Sequence, residues 1–125
     1  MFITLCCFED SEFGTIAPHP IAYAKDLLGW ISPDQKLVAS YRTTAELELQ
    51  ALSETAPVAG AFRLVEIPLS DGSGRFYTIE ARRRTGFDQI LPGDAVIIHL
   101  VDPAYADAPA QLVLPPGDWE SSPLA

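Results

Sequence analysis

The sequence has few of the residues from which catalytic sites are commonly built, since it contains only two histidines and two cysteines. A catalytic zinc ion needs three protein ligands and an open position for water, and two of the ligands are commonly histidines one helical turn apart. His19 and His99 are far apart in the chain, and no His-Glu-x-x-His pattern occurs. We therefore predict that the chain is not an enzyme and holds no cofactor.

The cysteines and serines also lack the surroundings that activate a nucleophile. Cys6 and Cys7 are adjacent, so the short distance between their Cα atoms does not suit a disulfide between them. They lie in an apolar run without a neighbouring base, and the chain has no Gly-x-Ser-x-Gly sequence. The sequence thus predicts neither a disulfide framework nor covalent catalysis.

Basic residues are scarce, because 8 lysines and arginines stand against 17 acidic residues and give a formal net charge of −9. Phosphate backbones are bound by basic surfaces, so nucleic acid is not an expected partner. No apolar run approaches the ~20 residues of a membrane-spanning helix, so no membrane association is predicted. The opening residues, MFITLCCFEDSEFG, lack the basic start and the cleavage site of a signal peptide, and the localisation is left open.

Prolines and glycines are plentiful, since 11 and 8 of them are spread along a chain that is 48% hydrophobic. This composition is typical of a packed domain with many turns and short strands. One helix is predicted over 20–28, because Pro20 suits the first turn, apolar residues recur at helical spacing and Gly29 can end it. Strands are predicted over 36–41, 45–52, 62–69, 75–82, 95–101 and 111–114.

We therefore predict a mainly β fold: an antiparallel β-sandwich or open barrel of about six strands with one short N-terminal helix. The sequence Ser32-Pro33-Asp34 interrupts the pattern and marks a boundary. It divides the chain into residues 1–33, which contain the helix, and a sandwich-like module over 34–125.

The segment over 76–102, FYTIEARRRTGFDQILPGDAVIIHLVD, carries the clearest strand pattern. Its first strand alternates, with Tyr77 and Ile79 on one face and Glu80 and Arg82 on the other. Its second strand is an almost unbroken apolar run, typical of a strand that is buried on both faces. The histidine in that run is interpreted as a hydrogen-bonded sheet residue and not as a ligand or base.

The one basic run of the chain, over 82–84, has two interpretations. In the first, its arginines lie in water at the end of the strand. In the second, Arg82 pairs with Glu80 on the same strand face, and one of the arginines contacts Asp88 or Asp94 across the connection. Asp88 is also expected to cap backbone donors of its own turn.

Aspartates in the loops are candidate calcium ligands, namely Asp88, Asp94 and Asp102. Calcium takes six or more oxygen ligands, and the spacing of these residues matches no calcium-loop motif. The alternative is that they cap turns and keep the surface soluble. We therefore predict no metal site and keep calcium as the alternative.

Two blocks of the sequence resemble a known family, the secreted zinc metallopeptidases of the immune inhibitor A and gametolysin-like group. The first block is similar to the segment that follows their catalytic core, and its matching residues are Tyr77, Glu80, Arg82, Gly86, Phe87, Asp88, Leu91, Pro92, Gly93, Val96, Ile98, His99 and Asp102. The second block, PHPIAYAKDLLGW over 18–30, is similar to the end of their catalytic domains.

The resemblance implies a non-catalytic β-rich module that packs against a metallopeptidase catalytic domain, and it implies an extracellular family whose zinc belongs to that domain. Residues 1–33 would then be the remnant of a catalytic domain, in a fragment or truncated homologue. Structural roles are implied for Trp30, Glu80, Arg82, Gly86, Asp88, Pro92 and Gly93.

Two interpretations of the function stay open, and they predict different exposed residues. A module that has lost its catalytic domain should expose an apolar face around Leu27, Leu28 and Trp30. The alternative is a free-standing carbohydrate- or protein-binding β-module, which should expose an aromatic patch built from residues such as Tyr41, Tyr105 or Trp119.

Overall fold

A computed structural model describes residues 8–10, 14–16, 20–40, 42–89, 91–105, 107 and 109–113. Its strands are β1 (Phe8–Asp10), β2 (Gly14–Ile16), β3 (Lys36–Val38), β4 (Glu48–Leu49), β5 (Ala61–Phe62), β6 (Leu64–Pro68), β7 (Phe76–Arg82), β8 (Ala95–Val101) and β9 (Ala110–Leu112). One α-helix, α1 (Ala22–Leu27), and two 3₁₀ turns, Pro33–Gln35 and Gly86–Asp88, complete the described elements.

Five of these strands form the main sheet in the order β3-β6-β7-β8-β9. The pairs β1-β2 and β4-β5 form two further two-stranded sheets. The prediction of a mainly β fold with one short helix is confirmed. The described residues contain no closed barrel.

The strand pairing is mixed and not antiparallel throughout. Strands β6, β7, β8 and β9 pair antiparallel in chain order, as hairpin-like connections require. In contrast, β3 pairs parallel with β6, and β4 pairs parallel with β5. The long excursion from β3 to β6 is the reason, because a parallel neighbour needs a crossover connection and not a tight turn.

The strand predicted over 45–52 is reduced to Glu48–Leu49. Beyond that pair, residues 50–53 are all buried and no longer alternate. The side chain of Gln50 explains the change, since its Nε2 donates to the carbonyl of Ala56 and its Oε1 accepts from the backbone N–H of Val58. These bonds fold the chain after Gln50 into a loop, while the backbone contacts pass from Phe62 of β5 to Ala81 of β7.

The main sheet has one face that carries charged residues and one face that is apolar. The register assigns the residues to these faces, because paired residues share a face. We call the first the inner face, with Leu64, Glu66, Thr78, Glu80, Arg82, His99 and Val101. We call the second the outer face, with Leu37, Val65, Ile67, Tyr77, Ile79, Ala81, Val96, Ile98 and Leu100. The hairpin of β6 and β7 and the alternation of β7 agree with the sequence.

Helix α1 packs against β7 on the inner face. Its residue Ala22 forms one hydrophobic core with Ile31, Leu52 and Leu64, and all four are buried. The helix ends as predicted, because Gly29 adopts a φ of 76° that favours glycine. The core therefore contains residues from both sides of the boundary predicted at residue 33, and the division into two units stays a prediction.

The outer face is more exposed than the apolar run of β8 predicted. Val96 is 61% exposed and Ile98 is 37% exposed, whereas His99 and Val101 on the inner side are buried. The prediction of a strand covered on both faces is therefore wrong for this part of β8. No described residue forms a second layer over Val96 that would bury it. Among the described helices, none has the length and apolar character needed to cross a membrane.

Candidate functional site

Three charged side chains are buried together on the inner face of the sheet. Glu80 and Asp88 are fully buried, and Arg82 is 5% exposed. Nε of Arg82 lies 2.7 Å from Oε2 of Glu80, and its Nη1 lies 3.2 Å from Oδ2 of Asp88. One guanidinium thus joins a carboxylate on its own strand to a carboxylate in the turn that follows. We call Glu80, Arg82, Asp88, Lys25 and His99 the buried cluster.

The buried cluster also holds the start of the helix. The backbone N–H of Ala22 donates to Oε1 of Glu80 at 3.1 Å, and Nη2 of Arg82 donates to the carbonyl of Pro20 at 2.9 Å. Helix α1 has no side-chain cap at its N-terminus. The carboxylate of Glu80 therefore replaces a cap, since it satisfies one of the first N–H groups of the helix and lies near its positive end.

Lys25 and His99 complete the buried cluster from the helix and from β8. Nζ of Lys25 donates to the carbonyl of Leu52 at 3.3 Å. Burial, together with the nearby charge of Arg82, lowers the pKa of Lys25 from 10.5 to about 8. Nδ1 of His99 lies 3.5 Å from Oε1 of Glu80 and has no hydrogen-bond partner among the described residues.

Acidification should destabilise the protein through His99. Burial lowers its pKa below the ordinary 6.5, although Glu80 opposes the shift. The unfolded chain therefore binds more protons than the folded one as the pH falls below 6.5, and the folded state loses stability there. Urea unfolding at pH 7.5, 6.5, 5.5 and 4.5 measures the loss, and His99→Gln should make the profile flatter in this range. An unchanged profile would mean that His99 does not carry the effect.

The ion pairs and hydrogen bonds of the buried cluster have a structural role. With no exposed surface, Glu80 and Asp88 cannot contact a substrate in this conformation. Their charges are instead compensated by Arg82, which is the condition for burying ionic groups. Its hydrogen bonds and ion pairs fix three segments to one another: the start of the helix, β7, and the turn after β7.

Three large apolar side chains remain exposed at the C-terminal end of helix α1. Leu27 is 61% exposed, Leu28 is 53% exposed and Trp30 is 62% exposed. We call them the helix-end patch. Helical spacing alone places Leu27 and Leu28 on the buried side, but the helix ends at Leu27 and the chain turns at Gly29. Of the apolar residues at helical spacing, namely Ala24, Leu27, Leu28 and Ile31, Ala24 and Ile31 are therefore the buried ones.

The ion-pair interpretation of the arginine run is confirmed for one residue and the solvated interpretation for the other two. Arg82 is buried and contacts both Glu80 and Asp88. Arg83 and Arg84 are exposed. The expected contact across the connection also involves Asp94, whose Oδ1 accepts from the backbone N–H of Arg84.

The remaining residues with predicted structural roles lie around the connection between β7 and β8. Gly86 begins the 3₁₀ turn that carries Asp88, and its φ of 58° explains the choice of glycine. Pro92 is exposed and Gly93 half-buried in the bend before β8. Sequence reasoning missed Lys25 in the buried cluster, although the lysine belongs to the PHPIAYAKDLLGW block.

The candidate calcium ligands are not brought together. Asp88 contacts Arg82, Asp94 accepts from Arg84, and Oδ1 of Asp102 accepts from the backbone N–H of Ala104. The described part of the chain has no group of three or more His, Cys, Asp or Glu residues that suits a metal ion. In the described residues these aspartates therefore accept hydrogen bonds in turns or pair with arginine.

Several residues considered in the sequence lie outside the described residues, namely Cys6, Cys7, His19, Tyr41 and Trp119. Of the aromatic residues proposed for a binding patch, Tyr105 is described and is 64% exposed. No protein-family model, curated protein or solved structure matches the chain.

Proposed function

We propose that the chain is a non-catalytic β-rich module that packs against a zinc metallopeptidase catalytic domain through the helix-end patch. The observation that carries the proposal is the exposure of Leu27, Leu28 and Trp30 at the end of a helix that the sheet holds in place. Large apolar side chains exposed together are typical of a protein-binding surface, and tryptophan is enriched among the residues that contribute most binding energy.

The buried cluster supports this function, because it fixes the helix that precedes the helix-end patch. A docking surface loses less conformational entropy on binding when it is already fixed in its bound geometry. Glu80 and Arg82 hold the first residues of the helix, and an ion pair of 2.6 Å between Lys36 and Asp26 holds its last turn. The sequence resemblance adds the identity of the partner, because the block containing the helix resembles the end of metallopeptidase catalytic domains.

Loss of the patch should weaken the proposed complex by a large factor. The test is calorimetric titration of the chain with a zinc metallopeptidase catalytic domain encoded in the same genome. Trp30→Ala should weaken binding by about 2 kcal/mol or more, which is about thirtyfold. The matched control is Val58→Ala, because Val58 is 46% exposed but belongs to the loop between β4 and β5. Equal affinity for Trp30→Ala and the unaltered chain would contradict the proposal.

The non-catalytic part of the proposal has its own test. The purified chain should contain no stoichiometric zinc by atomic emission and should leave casein intact. Bound zinc with casein cleavage would contradict it.

A further inference from the structure

The outer face of the sheet carries a cavity of about 500 Å³ that the proposed function does not use. Leu37, Val65 and Ile79 form its floor on β3, β6 and β7. Leu47 and Leu49 line it as a wall, because alternate residues of the chain over 43–49 face the cavity. This wall makes the site concave, unlike the open part of the outer face around Val96.

The lining of the cavity is apolar except for two hydroxyls. Ser40 and Thr43 border it, and the backbone N–H of Thr43 donates to the carbonyl of Ser40 at 3.2 Å, so both belong to one turn. No charged side chain is among the described residues that line the cavity. Such a site has room and contacts for a hydrocarbon chain, with hydrogen-bonding groups at the turn.

The charges around the cavity determine which ligand it can accept. Glu46 and Glu48 are exposed and alternate with the lining residues Leu47 and Leu49. The chain as a whole has a formal net charge of −9. A ligand with a carboxylate would be repelled by these two glutamates, and Arg42, the cation in the turn between Ser40 and Thr43, is not among the residues that line the cavity.

We propose that this cavity binds an uncharged aliphatic molecule, such as a medium-chain alcohol, with its hydroxyl at the turn of Ser40 and Thr43. The volume lies within the ~300–1,000 Å³ typical of small-molecule sites. The proposal is independent of the proposed function, because the helix-end patch lies on the other side of the sheet.

Binding is tested on the full chain with the neutral fluorescent probe N-phenyl-1-naphthylamine. The probe should bind saturably at one site. Decan-1-ol should displace it at a concentration at least about tenfold lower than decanoate does, which corresponds to about 1.4 kcal/mol. Equal displacement by decanoate would overturn the assignment of an uncharged ligand.

A cavity-filling variant locates the site. Ala45 is exposed at the lining, so Ala45→Trp places a large side chain in the cavity and should weaken probe binding at least about tenfold. The matched control is Ala59→Trp at an exposed position outside the lining, which should bind as the unaltered chain does. Equal weakening in both variants would overturn the location.

A measurement on the unaltered chain guards against a variant that does not fold. Amide shifts on addition of decan-1-ol should concentrate in 37–49, 65–67 and around Ile79, and shifts elsewhere would overturn the proposal. The absence of saturable probe binding would overturn it as well. Concentration-dependent dimerisation that Ala45→Trp abolishes, without probe binding, would assign the cavity to a contact between copies and also overturn the proposal.

Discussion

Arg82→Met should destabilise the protein by about 3–5 kcal/mol, which is the range observed when one partner of a buried ion pair is removed. The substitution keeps much of the side-chain volume but leaves Glu80 and Asp88 without the cation that faces them both. It also leaves the carbonyl of Pro20 without the donor at 2.9 Å. Since small domains are stable by about 5–15 kcal/mol, the variant should be near the limit of folding.

Urea unfolding at pH 7 measures this loss, and a neighbouring arginine supplies the control. Arg83 lies one residue further along, with a side chain that is 61% exposed and 3.4 Å from Glu54. Arg83→Met should change the stability by about 0.5 kcal/mol or less, because exposed ion pairs contribute little. Similar losses in the two variants would show that the buried contacts of Arg82 stabilise the protein no more than an exposed ion pair does.

A triple variant distinguishes two causes of the lost stability, namely the uncompensated charge of the carboxylates and the loss of the hydrogen bonds of Arg82. Arg82→Met combined with Glu80→Leu and Asp88→Leu removes the three charges that pair with one another, and Lys25, the buried cation that remains, keeps its hydrogen bond to the carbonyl of Leu52. We expect the triple variant to be more stable than Arg82→Met alone. A triple variant that is less stable than the single one would mean that the hydrogen bonds to the helix start outweigh the cost of burying charge.

The fold was predictable from the sequence where local patterns determine it. The alternation of β7, the turn before it and the helix stop at Gly29 are local, and the structure has each of them. The parallel neighbours were not predictable in this way. Whether β3 lies beside β6 depends on how the chain between them folds, and no periodicity within β3 specifies its partner.

The burial of β7 shows why the candidate site was only partly predictable. Alternation predicted correctly that Glu80 and Arg82 share a face, but a polar face is normally placed in water. Here the polar face is the buried one, because Asp88, Ala22 and Pro20 supply the partners that make this possible. Two of those partners are backbone groups more than fifty residues away in sequence, and no side-chain pattern reveals them.

A chain cut at the predicted boundary, residues 34–125, should not fold cooperatively. The cut removes Ala22 and Ile31 from the hydrophobic core that they share with Leu52 and Leu64. It also removes the N–H and the carbonyl that Glu80 and Arg82 use at the start of the helix. Exposed apolar surface and unpaired polar groups act together here, and each lost hydrogen bond to a charged group costs about 1.5–3 kcal/mol.

Far-UV circular dichroism and the dispersion of amide proton signals distinguish the outcomes for this truncated chain. A synthetic peptide of residues 18–33 added in trans should restore folding, because it returns the missing core residues and backbone partners. The control peptide carries Ala22→Glu, which places a charge at a fully buried position and should not restore folding. Cooperative thermal unfolding of residues 34–125 alone would instead establish the β module as an independent unit, with the helix as an appendage docked on a complete fold.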